Sequence, residues 1–216
     1  MSMSGALLDN LTDRETAHKS YGVVVALVTN TKDPQSLGRV KVRYPWLGEE
    51  TEGNWARVAT PMAGKEMGIF FLPEIGDEVL VAFEHGDLRF PYVIGALWNG
   101  KAKPPVSLGD EGKNDVRMIK SRSGHVIRLS DEDGKEKIEI IDKSGKNHVS
   151  IDTATNTITI AAEKDVTISA PNGAIKLAAQ KVEIVSSADT KIEAGAGMNV
   201  KASADLTIKG AMVNIN

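Results

Sequence analysis

The chain has 216 residues, 41% of them hydrophobic, with 26 Lys/Arg against 29 Asp/Glu and a formal net charge of -3. That near-balance leaves no electrostatic footprint for a nucleic acid or an anionic membrane surface. Without any cysteine there is no disulfide framework, thiolate metal site or thiol nucleophile.

Residues 1–20 are polar, with Leu7, Leu8 and Leu11 at roughly helical spacing. They read as an N-terminal arm, either a short docking helix or disordered. No basic n-region precedes an apolar h-region there, so synthesis in the cytoplasm without a signal peptide is expected, and no apolar run reaches membrane-spanning length. From Tyr21 the signals turn to strands: YGVVVALVTN, GRVKVRYPW, WARVATPMA, GIFFLPE, DEVLVAFEHG and PYVIGALWNG, separated by Gly, Pro, Asp and Asn. Val40, Val42 and Tyr44 alternate with Arg39, Lys41 and Arg43, the pattern of a half-buried antiparallel strand. Five or six such strands over 21–100 predict a small closed barrel of the OB type.

Residues 101–148 hold the Pro-rich exit KAKPP and then VRMIKS, HVIRLSD and KIEIID. The connectors SRSG, DEDGK and KSGKN supply the Gly-bearing turns of a β-meander. Composition changes along the chain as well. All ten aromatic residues lie between Tyr21 and Trp98, and seven of the eight prolines lie at or before Pro105. An aromatic first half fills a three-dimensional core, whereas a Val/Ile/Ala/Ser/Thr second half fills only something narrow.

From Val149 a short unit recurs, apolar–polar–apolar and then about five small or polar residues. Its pairs are Val149/Ile151, Ile158/Ile160, Val166/Ile168, Ile175/Leu177, Val182/Ile184, Thr190/Ile192, Met198/Val200, Leu206/Ile208 and Val213/Ile215, at steps of seven to nine residues. Each pair is a short strand with one face inward, and a fixed repeat of them is a stacked β-structure. One chain wound about so thin an axis would leave strand edges and apolar surface wet. A single-chain solenoid and an antiparallel sandwich are therefore disfavoured against three chains closing one triangular core. The Val, Ile and Leu members through Ile208 are the expected trimer core. Nine units at strand spacing give a prism roughly 40 Å long. The expected fold class is all-β, an OB barrel followed by a triple-stranded, intertwined β-helix over 149–216.

The run from LGRVKVRYPW through WARVATP and LPEIGDEVLVAFEHGD to VIGALWNG resembles, in order and spacing, the OB domain of VgrG-type spikes and phage baseplate assembly protein V. SRSGHVIRLSD followed by EKIEI resembles the same family's lead into its β-helix. The resemblance covers about residues 21–142 and implies the central spike of a contractile injection system: a phage tail, a phage tail-like particle or a type VI secretion apparatus. In that family three chains form a needle beneath the tail tube, and sheath contraction drives it through a target envelope with transient membrane contact. VgrG proteins carry a large hub domain before the barrel, and only about 20 residues stand here, so a separate hub protein is an expected partner. Residues 100–116 leave no room for the lysozyme of some phage spikes. No histidine follows His148, so the metal-holding His-x-His tip of other spikes is missing. The last strand, Val213, Asn214, Ile215 and Asn216, is instead the expected docking face for a PAAR-like tip protein.

No catalytic, cofactor or metal site is expected. His18, His85, His125 and His148 lack ligand spacing. Asp131–Glu132–Asp133–Gly134 lacks the remaining positions of a calcium loop and reads as a turn. Ala59 and Glu66 spoil the P-loop reading of the segment ending Gly64–Lys65. Asp77 and Glu78 are adjacent on a strand and point to opposite faces, so they form no acid/base pair. OB barrels also serve as carbohydrate- or nucleic-acid-binding modules, the competing reading here. Residues 1–100 carry 9 Lys/Arg against 13 Asp/Glu, which opposes the basic groove that single strands need.

Overall fold

A computed structural model describes residues 19–48, 52–108 and 112–215. The expected arm at 1–20 lies almost wholly outside the described residues, as does Asn216. The chain divides into two compact units, one ending at Glu163 and one beginning at Lys164.

The first unit opens with β1 (Val23–Asn30), β2 (Val40–Arg43) and β3 (Glu52–Val58), followed by the two-residue strands β4 (Ala63–Gly64) and β5 (Met67–Gly68). Then come β6 (Glu78–Phe83) and β7 (Pro91–Leu97). β1, β2, β3, β7 and β6 close a barrel in that order. All its pairings are antiparallel except β3 with β7, which are parallel at Arg57↔Tyr92 and Val58↔Val93. Burial in β2 and β6 follows the period of two that the alternating sequence dictates. Inward residues from all five strands form the core, among them Val28, Val42, Ala56, Val81 and Val93. Tyr44 adds the largest side chain, its ring 5.6 Å from that of Phe83. Gly53 on β3 makes room for it, since a Cβ there would stand 2.7 Å from Tyr44 Cε2.

The segment GIFFLPE, expected as a strand, is one only at its Gly68 start. Both edges of β6 are taken, by β1 and β7, so residues 69–74 join no ladder there. Instead Ile69 N donates to Met62 O at 3.0 Å and Thr60 Oγ1 donates to Ile69 O at 2.6 Å, while Phe70 and Phe71 stay exposed.

The meander appears as β8 (Val116–Lys120), β9 (Val126–Ser130) and β10 (Lys137–Ile141), and it continues through β11 (His148–Asp152) and β12 (Thr157–Ala161). These five strands form one antiparallel sheet in sequential order. Gly124, Gly134 and Gly145 take positive φ in its first three turns, where a side chain would be strained. Val149/Ile151 and Ile158/Ile160, the first two pairs of the repeat, are thus strands of this intrachain sheet. In the second unit no strand is assigned among the described residues.

Candidate assembly surfaces

The five-stranded sheet has two unlike faces. One carries two apolar rows across the strands. Ile119, Ile127, Ile140, Val149 and Ile160 make the first, and Leu129, Ile138, Ile151 and Ile158 the second, with Arg117 at its β8 end. These nine aliphatic side chains are 38 to 71% exposed. The opposite face centres on Met118, Arg128, Glu139, Ser150 and Thr159. There the polar groups satisfy one another. Arg128 Nε donates to Glu139 Oε2 at 2.9 Å, and Lys137 Nζ lies 2.9 Å from Asp152 Oδ2. The Lys137 ammonium holds the Asp152 carboxyl down at about 2. A sheet that satisfies its polar face and leaves its apolar face open inverts the usual economy of a soluble surface.

The pattern continues into the second unit. Val166, Ile168, Ile175, Leu177, Val182, Ile184, Ile192, Val200, Leu206 and Ile208 are all more than half exposed. Val213 and Ile215 are 48 and 85% exposed, and Asn214 is exposed beside them. Ile119, Ile127, Leu129, Ile138 and Ile140 were absent from the expected trimer core, although a signal for most of them existed. Ile127/Leu129 and Ile138/Ile140 are apolar pairs around a polar centre, but their starts lie eleven residues apart, not eight. The longer step holds a strand and a reversing turn.

On the barrel, a groove of about 740 Å³ lies between the β1–β2 loop, β3 and the β6–β7 connection. Its aromatic rings are covered by cations. Arg39 and Lys41 stand 5.8 and 5.7 Å from the Trp55 ring, Arg57 stands 5.6 Å from Tyr92, and Arg89 stands 5.7 Å from Phe90. Asp33 organises the loop: its carboxylate accepts from Leu37 N at 2.8 Å, Gln35 N at 3.1 Å and Arg39 Nη2 at 2.7 Å. The Arg39 guanidinium holds that carboxyl well below the usual range. Tyr92 donates its hydroxyl proton to Glu84 Oε2 at 2.7 Å, which raises the phenol's pKa.

The residues weighed for chemistry are scattered. Asp77 caps Glu74 N, whereas Glu78 accepts from Asn99 Nδ2. The Asp131–Gly134 segment is the β9–β10 turn, closed by Lys135 N donating to Glu132 O at 2.8 Å. His85 sits in a 3-10 turn after β6, His125 precedes β9 and His148 opens β11. His18 lies outside the described residues.

Residues 24–98, the barrel, match the family described as the Type VI secretion system/phage-baseplate injector OB domain. The chain is also 32% identical over 108 residues to the actin cross-linking toxin VgrG1 of Vibrio cholerae serotype O1, a match covering 47% of this chain and 10% of that protein. It is 31% identical over 110 residues to the type VI secretion system spike protein VgrG3 of Vibrio cholerae (48% of this chain, 11% of the relative). With the spike protein VgrG5 of Pseudomonas aeruginosa the identity is 33% over 124 residues (54% and 16%). Each match spans under a fifth of the relative's length. The barrel thus matches the injector OB domains of type VI secretion systems and phage baseplates, and the N-terminal half of the chain is similar to VgrG spike proteins.

Proposed function

We propose that this chain is the structural central spike of a contractile injection system, acting as a homotrimer with the barrel as collar and residues 164–216, which follow the five-stranded sheet in sequence, as a triple-stranded β-helical needle. The observation that carries this reading is the apolar sheet face from Ile119 to Ile160, followed in sequence by octad pairs exposed in the second unit. Each aliphatic side chain taken fully from water contributes about 1.5–3 kcal/mol, so a face this wide drives association. Identical chains around a three-fold axis present the same rows to one another. They also pair the strand edges that one chain leaves open.

The role is mechanical and needs no catalysis. A dry aliphatic core with fully paired backbone resists local opening, which suits a needle driven through a target envelope. In this reading a hub protein joins the collar to the tail tube. Val213, Asn214, Ile215 and Asn216 seat a PAAR-like tip. Among the described residues no helix is long and apolar enough to cross a membrane, and the spike meets the target membrane only in passing. It travels as part of the assembled apparatus. Light scattering on the purified chain tests the central claim. The expected mass is about 69 kDa, three times the 23.1 kDa of one chain, and a monomer or dimer would sink it.

A further inference from the structure

The barrel closes through a short pairing along β3. That strand meets β7 only at Arg57 and Val58, while its earlier part pairs with β2 alone. On its other side, residues 52–56 pair with no strand among the described residues, and this free edge borders the groove that Trp55, Arg57 and Tyr92 help to line. An open strand edge offers unpaired N–H and C=O groups to an added strand.

The groove's charges narrow the choice of occupant. Arg39 is paired with Asp33 at 2.7 Å and Arg89 with Asp87 at 2.6 Å. Arg57 lies 5.6 Å from the centre of the Tyr92 ring, with no carboxylate within 4 Å among the described residues. One guanidinium without a carboxylate partner matches one carboxylate in a bidentate fork. It does not match a polyphosphate, which draws on several free cations. The rings of Trp55, Tyr92 and Phe90 already carry cations on their faces, so a base or sugar would have to displace a guanidinium to stack. We propose that this groove receives an extended peptide of a partner protein, added along the free edge of β3, with one of its Asp or Glu carboxylates bound by Arg57.

Fluorescence anisotropy on the full chain tests this with a labelled peptide of alternating glutamate and valine. The comparison probes are its glutamine–valine counterpart, an oligothymidylate and a glucan oligosaccharide. The glutamate peptide is expected to bind. Replacing its glutamates, or Arg57→Gln in the protein, should each weaken binding roughly tenfold, the scale of one charge-assisted hydrogen-bonded pair. The two losses should not add, because both remove the same contact. Arg57→Gln should keep the parent's light-scattering mass, which separates this site from assembly of the needle. Absence of binding, equal affinity for both peptides, or tighter binding of the oligonucleotide or glycan would overturn the proposal.

Discussion

Tyr44 carries a hydroxyl into the barrel core where it finds no hydrogen-bond partner among the described residues, and burial pushes its pKa up to about 12. An unpaired buried hydroxyl costs free energy, whereas the ring around it packs well. Tyr44→Phe should therefore leave the urea midpoint unchanged or raise stability by up to about 1 kcal/mol. The reverse holds beside it. Gly53→Ala places a methyl 2.7 Å from the Tyr44 ring and 3.2 Å from Val42 O, and should lower stability by about 1–3 kcal/mol in the same titration. Acid acts on other residues. Asp152 beside Lys137, Asp142 beneath Ser144 and Asn147, and Asp87 beside Arg89 all have their carboxyls depressed to about 2 from an ordinary 3.8. A depressed folded-state pKa contributes stability above the unfolded value and loses it as pH falls through the folded one. The melting temperature should thus be insensitive to these groups at neutral pH and decline from about pH 4 towards 2. A decline centred near pH 6 would point to histidine instead.

Among the elements, the five-stranded sheet shows how far pattern alone reaches. Its hairpins were legible because Ser-, Asp- and Lys-rich turns containing Gly separate strands of period two. An ion pair then marks each seam: Arg117 with Asp131, Arg128 with Glu139, Lys137 with Asp152, and Lys146 with Glu163. Exposed pairs of this kind contribute little individually, but each favours one register over its neighbours. The apolar face makes a sharper prediction. Ile140→Asp would set a carboxylate in the proposed dry contact at each copy, where desolvation and like charge both oppose it. Light scattering should then find smaller species than for the parent chain, while Thr159→Asp on the opposite face should assemble normally. Ile168→Asp and Thr167→Asp form the matching pair in the needle. Equal trimer stability for that pair would refute the facing assignment. The segment 68–74 went the other way: its apolar run resembles a strand, but both edges of β6, the strand that follows it, are taken by β1 and β7.

For the whole molecule, the sequence by itself determined the all-β class, the strands of the barrel, the hairpins at 116–141 and the octad beat that begins at Val149. These are local matters of period, turn residues and side-chain volume, written in neighbouring residues. Only the tertiary structure decided that β3 lies beside β7 and leaves a free edge. It also decided that Asp33 and Arg39 hold one wall of a groove, and that the first two octad pairs finish a sheet rather than begin a separate unit. Those outcomes depend on which distant segments claim a strand's two edges, and hydrogen-bonding edges are allotted by the closure of the sheet as a whole. The exposed rows of Ile and Val lie on the open five-stranded sheet. The chain uses its backbone pairing within each sheet, and in the proposed trimer the apolar faces are covered between copies.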